Sequence, residues 1–164
     1  MARAKQAKSA GAGTPDAITL LKADHDEVKK AFKEFEKMDH EEDTEAMEEL
    51  VNTVCEALKV HSTLEEEIFY PAVREAIEDD DLMNEAAVEH QSAKDLIEQL
   101  EGMDSTDPMY PATFTVLCEY VLHHAKEEED EMFPSAKKAK VDLEALGEQI
   151  QARKGELTEA EEAV

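Results

Sequence analysis

The sequence predicts an all-α fold, an up-down-up-down four-helix bundle built from a duplicated helical hairpin. Apolar residues recur at steps of three, four and seven, the spacing of one helix face, and no stretch alternates apolar and polar residues over the length of a strand. Glycine and proline number only five each among 164 residues, so few positions interrupt a helix. Four amphipathic segments joined by short polar loops favour antiparallel neighbours in a bundle.

The chain divides into three parts. Residues 1–13 are basic and rich in small residues but lack the apolar run of a secretory signal, so a disordered tail is predicted. Residues 14–138 carry the helical periodicity and form the predicted bundle. Residues 139–164 are predicted to form a short helical or frayed acidic extension.

The first hairpin consists of two helices separated by the polar segment 39–43. The first helix opens at Thr14-Pro15-Asp16, where Thr14 is placed to cap it and Pro15 suits the first helical position. Its apolar stripe is Ile18, Leu21, Val28, Phe32 and Phe35, with His25 in the gap. The stripe of the second helix is Met47, Leu50, Val51, Val54 and Leu58, followed by His61, Glu65 and Ile68. Pro71 predicts a kink there.

The second hairpin begins after the acidic patch 78–81, which is the next predicted break. The stripe of the third helix is Met83, Ala86, His90, Ala93, Ile97 and Leu100, and this helix ends near Gly102. Residues 103–108 form a loop. The fourth helix, which runs to about Pro134, carries Phe114, Leu117, Val121, His124 and Glu128.

The two hairpins are related by an internal repeat. The segment HDEVKKAFKEFEKMD at His25 is similar to HQSAKDLIEQLEGMD at His90, 65 residues later, and HSTLEEEIFYP at His61 is similar to HAKEEEDEMFP at His124, 63 residues later. Aligning the prolines that end the second pair places His124, rather than its neighbour His123, opposite His61. Each half therefore carries a lone histidine on one helix and a His-x-x-x-Glu pair on the next.

This pattern predicts a metal site inside the bundle. Residues four apart lie one turn apart on a helix face, so both members of each pair can reach one centre. Imidazole and carboxylate ligands suit iron, manganese or zinc, and a carboxylate can bridge two ions. Burying two uncompensated carboxylates costs several kcal/mol each, which divalent cations would offset. The predicted ligands are His25, His61, Glu65, His90, His124 and Glu128.

The remaining residues with reactive side chains have other predicted roles. His40 lies in the polar segment between the first two helices and is predicted to be on the surface. Cys55 and Cys118 flank the ligand stripes and are predicted to pack in the core. Tyr70, Tyr110 and Tyr120 are predicted mainly to pack, and Tyr70, close behind Glu65, is the one to check for a role near the site.

The twice-repeated pattern of a lone histidine and HxxxE resembles the hemerythrin-like family, in particular its bacterial His-His-Glu cation-binding branch, over residues 16–138. The resemblance implies a four-helix bundle that holds a non-haem di-iron centre. It also implies that Glu65 and Glu128 bridge the two irons together with an oxo, hydroxo or water ligand. A small oxidant such as dioxygen would then bind at an open position.

The chain departs from the oxygen-carrying members of that family at two points. Those proteins have a second histidine one turn after the lone histidine of the third helix, where this chain has Lys94. They also have an aspartate five residues after the last histidine, whereas this chain has Glu128 at four and Glu129 at five. With one imidazole fewer, redox reaction with dioxygen or peroxide becomes more plausible than reversible oxygen carriage.

Three functions fit the sequence. The first is a di-iron protein that binds or reacts with dioxygen, peroxide or nitric oxide, with weak peroxidase, catalase-like or oxidase activity. The second is a metal-binding module for iron storage, buffering or sensing. The third is a structural helical protein that holds no metal. The sequence lacks the Glu-x-x-His pairs of ferritin-like di-iron enzymes, so that class is disfavoured. It also lacks the HExxH and paired CxxC motifs of zinc sites.

The net charge and the cysteine content indicate which partners and which cellular compartment to expect. A net charge of -25 repels phosphate backbones and anionic lipid headgroups, so neither nucleic acid nor a membrane surface is expected as a partner. No apolar run approaches the ~20 residues that cross a bilayer. The chain has only two cysteines and needs no disulfide at this size, so the cytoplasm is the predicted compartment.

Overall fold

Helices make up nearly all of residues 13–162, the part of the chain that this computed structural model describes. The helices are α1 (Ala17–Lys37), α2 (Thr44–Leu64), α3 (Tyr70–Ile77), α4 (Asp80–Glu101), α5 (Met109–Glu127), α6 (Phe133–Lys138) and α7 (Leu143–Glu162). Residues 13–162 contain no strand, so the predicted all-α class is confirmed. The predicted disordered tail lies outside the described residues except for Gly13.

The helix α1 begins two residues later than the sequence predicts. The cap is Asp16 rather than Thr14, because the Asp16 carboxylate accepts a hydrogen bond of 2.8 Å from the backbone N–H of Thr19. A carboxylate satisfies a free N–H group of the first turn and also interacts favourably with the positive end of the helix. Both effects favour Asp16 over a threonine hydroxyl.

The four helices α1, α2, α4 and α5 pack as a closed ring. Helix α1 contacts α2 and α5, and α4 contacts the same two helices. The short helices α3 and α6 contact each other. The breaks fall at residues 38–43, 78–79 and 102–108, close to the predicted loops. Within residues 13–162, no helix combines the length and the apolar character that crossing a bilayer requires.

Two π-helical turns occupy equivalent positions in the two hairpins. Glu65–Phe69 joins α2 to α3, and Glu128–Met132 joins α5 to α6. The residue after each turn donates its backbone N–H to the carbonyl of the glutamate five residues earlier, and a proline comes next. Proline has no N–H and crowds the carbonyl four residues before it, which favours a wider turn there. The kink predicted at Pro71 therefore takes the form of a widened turn that starts at a candidate ligand.

The buried apolar side chains form two clusters with the candidate ligands between them. One cluster contains Leu21, Leu64, Phe69, Phe133 and Ile150, and the other contains Phe35, Val51, Leu58, Phe114 and Leu117. Along α1, for example, His25 follows Leu21 of the first cluster and precedes Val28 of the second. The polar layer therefore lies between two sets of apolar side chains.

The C-terminal extension is longer and better packed than the predicted short or frayed segment. It forms the 20-residue helix α7, whose Leu146 and Ile150 are buried in the first cluster beside the start of α1. A helix with few apolar residues in an acidic sequence is stabilised mainly by packing on another part of the protein. That part is formed by α1 and α2, and only the tertiary structure reveals it.

Gly147 of α7 packs tightly against the residues that lead into α1, and its replacement gives a first prediction. A Cβ atom at this position would overlap the carbonyl oxygen of Pro15 and lie 2.9 Å from Asp16 Cα. We expect Gly147→Ala to lower the free energy of unfolding by about 2 kcal/mol and the melting temperature by about 5 °C. Gly155→Ala is the control in the same helix, since nothing lies within 4 Å of its Cβ, and it should stabilise the helix slightly. Thermal unfolding followed by circular dichroism tests both, and equal melting temperatures would contradict the close packing.

Candidate metal centre

The structure brings all six predicted ligands together in one layer. The four histidines come from four different helices, and the two glutamates are the first residues of the two π turns. Glu65 and Glu128 are 0% and 1% exposed, and three of the histidines are buried as well. The fourth, His124, has a side chain that is only 12% exposed. The layer is thus a cluster of ionisable groups inside the bundle.

The histidines form two pairs with the carboxylates between them. The ring centroids are 5.1 Å apart in the pair His25–His61 and 4.9 Å apart in the pair His90–His124. Glu65 Oε1 lies 3.0 Å from His61 Nε2 and 3.1 Å from His90 Nε2. Glu128 Oε1 lies 3.3 Å from His25 Nε2 and 3.2 Å from His124 Nε2. Each carboxylate therefore faces one histidine of both pairs, which suits a carboxylate that bridges two ions.

The donor atoms are suited to hold cations. Two groups of donor atoms have all members within 4.8 Å of one another, namely His25, His61, Glu65 and Glu128, and Glu65, His90 and His124. Three buried atoms of this layer make no hydrogen bond: His25 Nε2, Glu65 Oε2 and Glu128 Oε1. Buried polar atoms without partners are costly, and a cation would satisfy all three. The donor chemistry fits iron, manganese or zinc.

Each histidine is held from behind by a second carboxylate. The pairs at Nδ1 are His25 with Glu129 (3.0 Å), His61 with Asp24 (2.9 Å), His90 with Glu66 (3.4 Å) and His124 with Glu89 (3.1 Å). A carboxylate that accepts a hydrogen bond from Nδ1–H fixes the ring orientation and leaves the Nε2 lone pair facing the centre. All four Nε2 atoms are therefore presented to the shared cavity.

These four outer carboxylates were not predicted, although the repeat contains a signal for them. Asp24 and Glu89 immediately precede the lone histidines, and Glu66 and Glu129 immediately follow the candidate glutamates. Their offsets are those of the ligands themselves, 65 and 63 residues. Glu129, which replaces the aspartate of the oxygen carriers in the sequence comparison, contacts the back of His25 rather than the centre.

Lysines support two of the outer carboxylates. Lys154 of α7 donates to Asp24 at 2.8 Å, and Lys94 of α4 donates to Glu66 at 2.6 Å. Burial would raise the pKa of Asp24, but the hydrogen bonds from His61 and Lys154 outweigh burial and lower it. Lys94, which stands where the oxygen carriers have a histidine, thus contacts an outer carboxylate.

Three of the central groups, His61, His124 and Glu65, compensate one another as opposite charges when no metal is bound. Burial would lower the pKa of His124, but the neighbouring carboxylate of Glu128 outweighs burial and raises it to about 9. Burial opposes the charge on His61 too, yet Glu65 and Asp24 raise its pKa well above the ordinary value. Against the effect of burial, His61 holds the pKa of Glu65 well below its usual range. Imidazolium and carboxylate charges therefore replace the cation in the metal-free protein.

Tyr70 contacts the site and makes the two histidine pairs different. Its hydroxyl lies 3.0 Å from His90 Nε2 and 2.9 Å from His124 Nε2, and it donates to Glu128 Oε2 at 3.0 Å. Burial and the charges of the two central glutamates raise the pKa of the phenol well above its ordinary value, so it keeps its proton. The equivalent residue of the other half, Phe133, stacks on His25 at 6.1 Å and has no hydroxyl.

The Tyr70→Phe variant tests how much this hydroxyl contributes. We expect it to lower the free energy of unfolding of the metal-free protein by about 1–2 kcal/mol, because buried partners lose a hydrogen bond. Tyr120→Phe is a suitable control, since Tyr120 is 50% exposed. Urea unfolding of both variants gives the comparison, and equal stabilities would show that the Tyr70 hydroxyl contributes little.

Two further histidines lie outside the layer. His123 is exposed and pairs with Glu127 at 3.0 Å, so the inward member of the adjacent pair is His124. His40 is half-buried rather than on the surface as predicted. It stacks on Phe35 at 4.3 Å, and its Nε2 lies 2.9 Å from the Phe35 carbonyl oxygen. The turn after α1 brings this loop histidine back against an aromatic side chain of the same helix.

Both cysteines pack in the second apolar cluster, as predicted. Cys55 and Cys118 are buried and unpaired in the described structure. Burial raises the pKa of each thiol to about 12, so both stay protonated near neutral pH. A protonated thiol is a poor nucleophile and a poor metal ligand.

Fold and site together define a helical protein with a buried histidine–glutamate cluster that can hold cations. The family profile described as "Hemerythrin HHE cation binding domain" matches residues 16–136. The chain therefore belongs to the hemerythrin family and is a metal-binding, hemerythrin-like protein. The helix α7, with its Lys154, lies beyond the matched residues.

Two individual proteins are similar to this chain. The solved structure of a hemerythrin HHE cation binding domain-containing protein from Mycobacterium kansasii has a TM-score of 0.75, with 24% identity over 89% of each chain, which supports the fold. A relative from Nostoc sp. described as "DNA nickase" is 26% identical over 114 residues. Those residues are 70% of this chain but 31% of the relative, so the chain spans about a third of that protein's length.

Proposed function

We propose that this protein holds two iron ions and that the centre binds or reacts with a small oxidant, namely dioxygen, hydrogen peroxide or nitric oxide. The observation that carries the proposal is that Glu65 and Glu128 each face one histidine of both pairs. Two ions bridged by carboxylates suit redox chemistry if the metal is iron, which exchanges electrons with oxygen species. Manganese or zinc would fit the same ligands.

The chain's own residues have distinct roles in this proposal. His25 and His61 would hold one ion, and His90 and His124 would hold the other. The outer carboxylates keep all four rings oriented. Tyr70 presents a proton beside the second pair only, so a bound oxidant would meet a hydrogen-bond donor on one side of the centre. The enclosing apolar clusters limit access by bulk water.

The proposal extends to the topology, the partners and the compartment. An up-down-up-down order of α1, α2, α4 and α5 is favoured by the short connections between them. A small molecule is the proposed partner, and a net charge of -25 disfavours DNA, so nicking of DNA is not proposed for this chain. The cytoplasm is the proposed compartment, in keeping with the two buried thiols.

The second candidate is a module for iron storage, buffering or sensing without redox turnover. It is favoured by the buried charges of the layer, because metal binding would replace ion pairs and couple occupancy to stability. Addition of oxygen to the reduced protein separates the two candidates. A rapid spectral change supports the first, and inert bound metal supports the second.

Metal analysis of the purified chain tests the proposal. Iron, manganese and zinc per chain are measured by elemental analysis, and absorption spectra are recorded in air and after reduction and re-exposure to oxygen. We expect about two irons per chain and near-ultraviolet bands that bleach on reduction and return in air. Two zinc ions without such bands would leave only the metal-binding function. A chain that retains no metal even after reconstitution would overturn the proposal.

A further inference from the structure

An apolar chamber adjoins the histidine layer on the side away from Tyr70. Its volume is about 130 Å³. One side chain from each of the four helices forms its inner wall, three residues from a candidate histidine: Val28, Leu58, Ala93 and Val121. Ala31 and Val54 extend the wall further, six and seven residues from His25 and His61. At a rise of about 1.5 Å per residue, the chamber continues well beyond the histidine layer.

The chamber exists because the repeat is imperfect at the inner wall. Ala93 stands at the position equivalent to Val28, and Val121 at the position equivalent to Leu58. The second hairpin therefore carries the smaller side chain at both positions and leaves room that the first hairpin fills. Interiors are normally packed with few voids larger than a water molecule, so a chamber of this size beside a reactive layer is a specific feature.

The chamber borders an acidic part of the surface. Asp24, Glu27, Thr53 and Ala57 line both the chamber and an open surface groove, which also contains Glu56 and Lys154, the partner of Asp24. The whole chain carries a net charge of -25. This excess of carboxylates lowers the local concentration of anions, whereas an uncharged molecule is not repelled.

We infer that the chamber binds a short uncharged molecule with an apolar body and one hydroxyl or hydroperoxide end that faces the histidine layer. An engineered apolar cavity of about 150 Å³ in another protein binds benzene, so a body of about four to six carbon atoms fits this volume. The polar groups at the inner end of the chamber are the imidazoles and Glu65. The inference rests on the proposed function for the role of this ligand, and it adds a class of substrate larger than the diatomic oxidants.

A titration with 1-butanol tests the inference on the full chain, both zinc-loaded and metal-free. We expect saturable shifts of the methyl resonances of Leu58, Val54 and Val121 in nuclear magnetic resonance spectra. Binding in the millimolar range is expected for so small a ligand. Butanoate has the same apolar body with a negative charge and should bind at least about tenfold more weakly. The absence of saturable shifts in both forms, or equal binding of butanoate, would overturn the inference.

Variants that fill the chamber give the second arm of the test. The double variant Ala93→Val with Val121→Leu gives both positions the larger side chains of the first hairpin. We expect it to weaken 1-butanol binding about tenfold or more. Ala93→Val alone is the milder variant, with a smaller loss. Val116→Leu, on α5 but 41% exposed, should leave binding unchanged. Unchanged binding in both filled variants would overturn the inference. The titration needs no redox-active metal, so a chain that binds 1-butanol but retains no metal would refute only the proposed function.

Discussion

The His61→Ala variant is expected to retain at most about one metal ion per chain, because first-layer ligands contribute most of the affinity of such sites. His61 Nε2 lies 3.0 Å from Glu65 Oε1, and its ring is held by Asp24. Removal of the ring takes away a ligand and leaves both carboxylates buried with less compensation. We therefore expect the melting temperature of the metal-loaded protein to fall by about 10 °C or more. Elemental analysis and thermal unfolding measure the two effects on one preparation.

His123→Ala is the matched control for this variant. It removes the same kind of side chain, also paired with a glutamate four residues later, but from an exposed position. Its metal content should equal that of the unmodified chain, and its stability should change by no more than about 0.5 kcal/mol. Metal loss in His123→Ala as large as in His61→Ala would show that the wrong histidine of the adjacent pair has been assigned to the centre.

Without metal, stability is expected to fall as pH rises from about 6.5 to 9, whereas the metal-loaded protein should change little over that range. In the metal-free protein the pKa of His124 is raised to about 9. A raised histidine pKa contributes stability that is complete below the unfolded value and is lost as pH rises through the folded value. The shift from 6.5 corresponds to about 3 kcal/mol. His61, whose pKa is also raised, adds to the loss in the same direction.

Glu65 determines how the stability of the metal-free protein depends on pH in the acidic range. Glu65 has a lowered pKa, so its contribution is present above about 4.5 and is lost as the solution becomes more acidic. The metal-free protein should thus be most stable between about pH 4.5 and 6.5. Metal binding needs neutral imidazoles, so the stabilisation by metal should grow as pH rises from about 6.5 to 9 and offset this loss in the metal-loaded protein.

Urea unfolding at several pH values, with and without metal, tests this difference between the two profiles. The His124→Gln variant removes one of the titrating groups, and its metal-free form should lose less stability between pH 6.5 and 9. Parallel pH profiles for the loaded and metal-free protein would contradict the assignment of these histidines to the metal centre.

The six central residues could be found from the sequence because each one breaks a helical pattern of apolar residues. His25 occupies a gap in the stripe of α1, and Glu65 follows His61 on the buried face of α2. The repeat then separated His124 from His123, since only one of them aligns with His61. Helix periodicity and duplication are local properties of a sequence, and the structure places all six side chains in one layer.

The outer contacts could not be found in the same way. Asp24 and Glu89 hold histidines of neighbouring helices, and Glu66 and Glu129 hold histidines of the other half of the chain. In a chain with 42 acidic residues, the repeat relates these four in pairs but does not show that they differ in function from the carboxylates of a solvated face. Which acid reaches which ring depends on the distance between helices.

The spacing of side chains along the chain was enough to predict the helical class, the duplicated hairpin and the six candidate ligands, because side chains three and four apart must share a face of a helix. The contacts between helices could be seen only in the folded chain. There α7 packs on α1 and Lys154 contacts Asp24, the hydroxyl of Tyr70 lies beside one histidine pair, and a chamber lies beside Ala93. These features depend on which surfaces meet and how closely, and such long-range packing is not encoded in the spacing of residues along one helix.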